Sequence, residues 1–569
     1  MRPETPSFAK VQYTNGYEFT QGTGYTLPEY PFVAPPDLHS DQVLRHAIVI
    51  VGGGITGLTL ACSLANQGVK AILLDEDNTV GVKGASSRGI CYTQKSLEIF
   101  QRLGIYKRIA AKGVQWSVGR TFAGNDEVYS FDLSAQSNFN LSAQPPFINI
   151  QQFYIEGFLV ERIAELGGVD LRWNSRVTSF EQNNDFATLT VQTPEGSYQI
   201  QADHVIDATG SHTPFHAWTG VSMQSTQGDD RWCIADVRFN THPPVERHTW
   251  IEAPFNENRA VWQHLMADNV WRIDYQMAPN ADPAYVSRED VVRERLERQF
   301  GKDVKVDIVW VGPYAYKSQC VDTLQMGRVF FMGDTAKVVS PFGARGGNTG
   351  VSDADNLAWK LGAVFKGWAS PALLDSYNAE RLEAAQENVR VTNRTARFLR
   401  APEGMERSFR HAAISLAKQY PFARSLINTG RMAVANTYTR SSICADNGGV
   451  SLQNVSFSWR KGHNGVVNDI LNWAEGRLVL LTFGTQTQAS LRRLRTLTEG
   501  TPLRCVQVVN KLTPPQAREH VMDTQDRLRS ACQVQSQGWA LVRPDGYLAS
   551  TGHRVDGSLI EAIANTLAL

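Results

Sequence analysis

The sequence predicts an α/β protein in which a glycine-turned βαβ unit is interrupted by an antiparallel sheet and followed by a small separate α/β domain. Three observations lead there. An apolar, β-branched run, AIVIV from Ala47, gives way to GGGITG, then to the amphipathic LTLACSLANQG, and then to a second apolar run, AILLDED. Between about 230 and 280, three runs alternate with period two, WCIADVRF, RAVWQHLM and VWRIDYQM. A composition shift at ICADNGGVSLQ precedes a remainder in which strand-like LVLLTFG, CVQVVN and GWALVRPDGYLA alternate with helical segments.

Taken in order, residues 1–44 form an arm without helical or strand period, yet rich in aromatics: Phe8, Tyr13, Tyr17, Phe19, Tyr25, Tyr30 and Phe32. So many rings favour packing on the chain's own or a neighbouring subunit over a solvated tail. The main body runs over 45–445. It holds the βαβ unit, the interleaved sheet at about 211–325 and a helical stretch at about 347–430. Residues 446–569 form the C-terminal domain. Because the motif residues all lie upstream of it, truncation near 450 is expected to leave a folded core.

Lys+Arg and Asp+Glu balance at 56 each, so no global field recruits nucleic acid or an anionic membrane. Seven scattered cysteines contain no CxxC pair and no His/Cys cluster at metal-ligand spacing. The N-terminus MRPETPSFAK lacks a signal-peptide pattern, and no apolar run approaches the roughly 18 residues that span a bilayer. A cytoplasmic protein with a small-molecule partner and no metal is expected.

Gly52, Gly54 and Gly57 form GxGxxG directly after a strand and at the start of a helix. The first glycine permits the tight turn, the second lets backbone meet a pyrophosphate, and the third allows close helix–strand packing. Asp75 ends the second strand, where a carboxylate accepts ribose hydroxyls. Strand, turn, helix, strand and acid together read as a Rossmann-like dinucleotide site, against an ordinary glycine turn. A second glycine cluster, GDTAKVVSPFGARGGNTGVSDADNLAWKL, follows the strand RVFFM. It delivers Gly333 and Asp334 to a strand's C-terminal end, and Gly346 and Gly347 open a helix that Asn348 or Thr349 is expected to cap. Asp334 can accept a ribityl hydroxyl, and the glycines can bring backbone against a flat ring, which points to FAD.

The combination of GGGITG, SRGICYTQKSLEIFQRLG, NIQQFYIEGFL, the GD segment and LLDSYNAER resembles the single-component FAD-dependent aromatic hydroxylases, the class of p-hydroxybenzoate and phenol hydroxylases. The resemblance covers roughly 45–400. It implies that Arg88 contacts FAD near its pyrophosphate and ribityl portion and that Gln152 binds the ribityl chain. It also implies an activity: NAD(P)H reduces the flavin, O2 adds at its C4a atom, and the hydroperoxyflavin hydroxylates a phenolic or heteroaromatic ring. The C-terminal part resembles the thioredoxin-like domain of the phenol hydroxylase branch, carried by RPDG at Arg543–Gly546. A homodimer is an accompanying expectation.

Substrate contacts are expected on the inserted sheet. Period two puts Arg272, Asp274 and Gln276 on one face, and Trp262 and His264 on one face of the neighbouring run. Arg272 can hold a phenolate or carboxylate, and His264 or Asp274 can take a phenol proton. The bland alternative is a surface ion pair between Arg272 and Asp274. The chain departs from the family pattern at DATGSHTPFHAW, where Thr209, Gly210 and His216 stand in place of Asp-Gly and a downstream arginine. Thr335, Ala336 and Lys337 stand for the usual Ala-Ala-His, and Glu76 for a common arginine. The departures favour weak or substrate-dependent reduction by NAD(P)H, with Lys337 or Arg345 as replacement phosphate anchors. An oxidase or oxidative cyclase reduced by its own substrate is the alternative, and a non-catalytic FAD-holding protein a third reading.

Overall fold

A computed structural model describes residues 25, 27–81, 89–137, 139–241, 243–400, 404–427, 432–459, 463–499, 501–510, 515–535 and 537–569, with backbone alone at 226–230 and 315–316. Arg88 and the arm's Phe8, Tyr13, Tyr17 and Phe19 lie outside the described residues.

Leu44–Val51 is central in a parallel sheet, with its last four residues buried, as expected of a strand covered on both faces. Gly196–Asp207 runs parallel on one side of it and Ala71–Leu74 on the other. Val329–Phe331 extends the first side and Val169–Arg172 the second. Helix Ile55–Asn66 fits against the strand because Gly57 has no side chain: a Cβ there would stand 1.9 Å from the Gly52 carbonyl oxygen. Gly52 itself turns with φ +109°, where other residues are strained.

The second sheet has eight strands. Its order is Lys337–Val338, Val306–Val321, Met223–Phe239, Trp271–Gln276, Arg259–Leu265, Arg247–Ala253, Val118–Ala123 and Asp126–Asp132. It is thus wider than the 211–325 insert, because the hairpin Val118–Asp132 joins one edge through Arg247–Ala253. Three helices follow, Gly346–Phe365, Asp375–Leu399 and Gly404–Gln419. The described end of the arm packs on its own chain: Tyr30 stacks on Trp173 at 4.5 Å, and the Tyr25 hydroxyl donates to Asp236 at 2.8 Å.

The C-terminal domain holds a seven-stranded sheet in which Leu478–Phe483 pairs parallel with Leu503–Val509 and antiparallel with Gly538–Val542. It is joined to the core by buried polar groups. The Trp359 indole and the Lys95 ammonium donate to Asp545 at 3.1 and 2.9 Å, and Lys360 meets Glu380 at 2.9 Å. Arg543 contacts Glu380 and Asp545, all three without solvent exposure beyond 1%. That seam argues against a core that stands alone after truncation near 450.

Candidate functional site

One cavity of about 360 Å³, within the usual size of ligand pockets, joins the two glycine clusters to a face of the second sheet. Gly52, Gly54, Asp75, Gln152, Asp334, Gly346, Gly347 and Asn348 line one part of it; Trp262, His264, Arg272 and Asp274 line another. Gly57 and Gly333 stand behind the wall, at its close-packed turns. A Cβ on Gly333 would come within 2.6 Å of the Thr56 hydroxyl.

Two helix N-termini open on this cavity. Helix Ile55–Asn66 begins at Gly54 and helix Gly346–Phe365 at Arg345, neither with a side-chain cap. Their first N–H groups and positive dipole ends are therefore free for anionic oxygen. Asn348 and Thr349 do not cap. The Asn348 oxygen accepts the Thr93 N–H at 2.9 Å while its amide donates to the Cys91 and Ala344 carbonyls, and the Thr349 hydroxyl accepts from Arg381. Competing backbone from the strand Cys91–Thr93 claims the side chain that the sequence pattern offers to the helix.

Asp75 accepts the Gly53 N–H at 2.5 Å and the Asp77 N–H at 2.8 Å, bracing the first turn. Burial pushes its carboxyl up to about 7, against the lowering effect of those two donors. Gln152 donates to Glu156 at 2.7 Å, and Glu156 accepts the Gly81 N–H at 2.7 Å. Sequence reading gave no role to buried Glu156, although it shares a helix face with Gln152. These features fit FAD. Glycine-lined backbone, two open helix N-termini and acceptors at both strand ends suit its pyrophosphate, ribose and ribityl hydroxyls.

On the sheet side, Arg272 and Asp274 pair at 2.9 Å with side chains only 12% and 5% exposed, so the pair lines the cavity and is not a surface pair. Gln276 turns away from this role: it accepts the Ala260 N–H at 3.0 Å and lies outside the cavity. His264 is buried and its Nδ1 has no partner among the described residues. Burial first, then Arg247, then Arg272 hold its pKa well below the ordinary value, so the ring is neutral at pH 7. Arg247 also lines the cavity and was not found by sequence reading. Its strand, RHTWIEA, alternates with period two but opens on a charge.

The loop after Gly196–Asp207 is locked by buried Asp207, which accepts from the Thr209 and Thr213 hydroxyls at 2.6 Å each. Thr209 and Gly210 line the cavity, while the His216 Nε2–H donates to the Thr335 carbonyl at 2.9 Å. Lys337, expected as a phosphate anchor, is fully buried against Asp353, which also takes Arg381 at 2.6 Å. The Asp353 carboxylate faces two cations and claims the lysine. Arg345 lines the cavity and donates to Asn388 at 2.5 Å.

Comparison with known proteins gives the family and the fold. The 3-(3-hydroxy-phenyl)propionate/3-hydroxycinnamic acid hydroxylase of Mycolicibacterium smegmatis is 26% identical over 352 residues, 62% of this chain and 61% of that relative's length. A flavin-dependent monooxygenase of Mycobacteroides abscessus is 30% identical over 347 residues, 59% of this chain and 71% of that protein. The crystal structure of the flavin-dependent monooxygenase PieE, in complex with FAD and substrate, shares the fold with a TM-score of 0.78 at 21% identity. That match covers 92% of this chain and 99% of that one. The FAD binding domain family matches residues 45–392, a stretch that carries both glycine clusters and the sheet between them, and the chain belongs to that family.

Proposed function

We propose that the chain is an FAD-dependent monooxygenase that hydroxylates a phenolic or heteroaromatic small molecule, with NAD(P)H as electron donor and O2 as oxygen source. The observation that carries this reading is the single cavity in which the dinucleotide loops meet the Arg272, Asp274 and His264 face of the second sheet. Gly52, Gly54, Asp75, Gln152, Asp334 and Gly346–Asn348 would hold the cofactor, joined by Arg88 on the family resemblance. The open N-terminus of Gly346–Phe365 would stabilise negative charge on a flat ring beside it. Bound FAD supplies the redox and oxygen chemistry.

The chain's own side chains position the substrate ring and handle its proton. The Arg272 guanidinium favours a phenolate over a phenol, which makes the ring more electron-rich. His264, whose Nδ1 has no partner among the described residues, can accept a phenol proton. Burial, Arg247 and Arg272, which keep the ring neutral, also disfavour its holding that proton as an imidazolium. Asp274 is engaged by Arg272. Trp262, Trp310 and Ile234 shield this end from water.

The test is incorporation of labelled oxygen from O2 into a phenol with stoichiometric NAD(P)H consumption. A second reading, an oxidase or oxidative cyclase reduced by its substrate, is favoured by one observation: His216 is neutral and Lys337 is sequestered, so neither serves as a phosphate anchor. Peroxide formation from substrate alone, without NAD(P)H, would select it.

Three accompanying readings belong to the same proposal. The C-terminal domain is thioredoxin-like in its central mixed strands Leu478–Phe483, Leu503–Val509 and Gly538–Val542, and without a CxxC pair it docks and does not exchange disulfides. Free, scattered cysteines support a cytoplasmic location. A homodimer would cover the exposed Met405 and Phe409 of the helix Gly404–Gln419 and Phe422 just after it, which light scattering can test.

A further inference from the structure

We propose that the substrate carries an acidic oxygen, a carboxylate or an ionised phenol, and that Arg247 pairs with it at the sheet end of the cavity. The proposal rests on reading that cavity as the substrate site. Arg247 is 4% exposed, yet its contacts are poor for a cation. One terminal N–H faces the Met432 sulfur at 3.1 Å, a weak acceptor, and its Nε has no partner among the described residues. Its guanidinium lies 4.9 Å over the Trp262 ring.

Five of the six other buried arginines among the described residues are treated differently by this fold; the sixth, Arg345, donates to the Asn388 amide oxygen. Arg102, Arg172, Arg381, Arg410 and Arg543 each meet a carboxylate at 2.5 to 2.7 Å. Among the described residues no carboxylate stands within ion-pair distance of Arg247. The nearest acid of the same sheet face, Asp274, is taken by Arg272. A guanidinium stripped of water and left without an anion is costly, and its planar fork matches two oxygens of one anionic group.

The sheet register gives that anion a place. His248 pairs with Gln263, so Arg247 falls opposite His264, which itself pairs with Arg272. Arg247, the unpartnered Nδ1 of His264 and the face of Trp262 therefore adjoin one another on the cavity wall. An anionic oxygen at Arg247 sets the ring beside Trp262, over which the guanidinium lies, and brings a neighbouring hydroxyl towards His264. Neutral His264 can serve as donor or acceptor to that hydroxyl. Specificity for an acidic aromatic follows from the Arg247 cation, which meets no carboxylate among the described residues.

The experiment titrates the FAD-loaded protein with 2-naphthoate, its neutral isostere 2-naphthamide, and 1-nitro-2-naphthol, which is ionised at neutral pH, following flavin absorbance. We expect at least one anion to bind about tenfold or more tightly than the amide, the scale of one charge-assisted hydrogen bond. Preference for the naphthoate alone assigns a carboxylate, and preference for the nitronaphthol alone an ionised phenol. Arg247→Met should abolish the preference and melt no lower than wild type without ligand, because it removes an unpaired buried charge; Arg247→Lys should retain part of the preference. Equal binding of amide and both anions by wild type, or a preference that survives in Arg247→Met, overturns the proposal. Oxygen uptake on the same samples tests the monooxygenase reading separately, since anion binding is scored without turnover.

Discussion

Glu380 of the long helix Asp375–Leu399 and Arg543 of the C-terminal domain form a two-pronged ion pair at 2.5 and 3.0 Å, with neither side chain exposed. Lys360 and Asp545 complete the cluster, and Tyr438, Tyr547 and Trp359 enclose the guanidinium. Breaking such a pair from one side leaves a buried charge uncompensated. Arg543→Met is expected to lower unfolding free energy by about 3 to 5 kcal/mol, and the double variant Glu380→Met with Arg543→Met to recover much of it. Denaturant unfolding of the three proteins checks this, and a single variant as stable as wild type would remove the pair from the list of stabilising contacts.

Acid sensitivity follows from the same cluster. Burial alone would raise the Glu380 pKa, but Arg543 and Lys360 outweigh it and hold the carboxyl well below the ordinary range. A carboxylate with a depressed folded pKa contributes stability that is present above its unfolded pKa of about 4.3 and lost as pH falls below it. Glu380→Gln should therefore flatten the acid limb of the stability curve. A truncated core ending near 445, which exposes Lys360 and Glu380, should be poorly soluble or unfolded.

Much of the site was legible because it is local. GGGITG, Asp75 and the GD stretch state their geometry in a few consecutive residues, and Gly57 is required by contact with Gly52 only five residues away. Asn348 misled because its partners, Thr93 and Cys91, lie 255 and 257 residues away and outbid the helix end. Lys337 misled for the same reason, since Asp353 is reached only once the helix packs. Arg247 went unseen because its meaning is the absence of a carboxylate, which no sequence window contains. The sheet's alternation was readable in Arg259–Leu265 and Trp271–Gln276, but its edge hairpin Val118–Asp132 joins from a distant part of the chain.

On the proposed reading, Asp75 should link FAD affinity to pH. Its carboxyl sits at about 7 without ligand because burial opposes ionisation. Ribose hydroxyls that donate to the carboxylate lower that value on binding, so FAD should bind more tightly above about pH 7 and more weakly as pH falls through it. Asp75→Asn should remove this dependence. Asp334→Ala should cost about 1.5 to 3 kcal/mol of FAD affinity, the scale of a hydrogen bond to a charged acceptor. Fluorescence titration with FAD across pH measures both, and a pH-independent wild-type Kd would take Asp75 out of the ribose contact.

Gly57→Ala introduces a methyl group 1.9 Å from the Gly52 carbonyl oxygen, a contact with backbone that cannot swing aside. Helix Ile55–Asn66 must then lift from strand Leu44–Val51, moving the open N-terminus that faces the cavity. Overpacking of this kind costs about 1 to 3 kcal/mol, so the variant should fold with a lower melting temperature and purify with little flavin. Flavin content equal to wild type would show that the helix position is not what sets cofactor affinity.

The loop at DATGSHTPF sets the last expectation, that NAD(P)H reduces the flavin slowly unless an aromatic substrate is bound. Thr209 lines the cavity but spends its hydroxyl on Asp207 at 2.6 Å, and Asp207 is too deeply buried to reach a ligand. His216 donates to the Thr335 carbonyl and is kept neutral at pH 7 by burial, while Lys337 is committed to Asp353. Exchanging a charge-assisted contact for a neutral one forfeits about 1 kcal/mol or more, several-fold in nicotinamide binding. Substrate that fills the face of Trp262 and His264 would leave the nicotinamide less room to bind unproductively. Anaerobic stopped-flow reduction with NADH and with NADPH, each with and without 2-naphthoate, measures the difference. Fast, saturable reduction at low NADPH without any aromatic would show that another group on the cavity wall supplies the missing charge, with Arg345→Met as the variant to examine next.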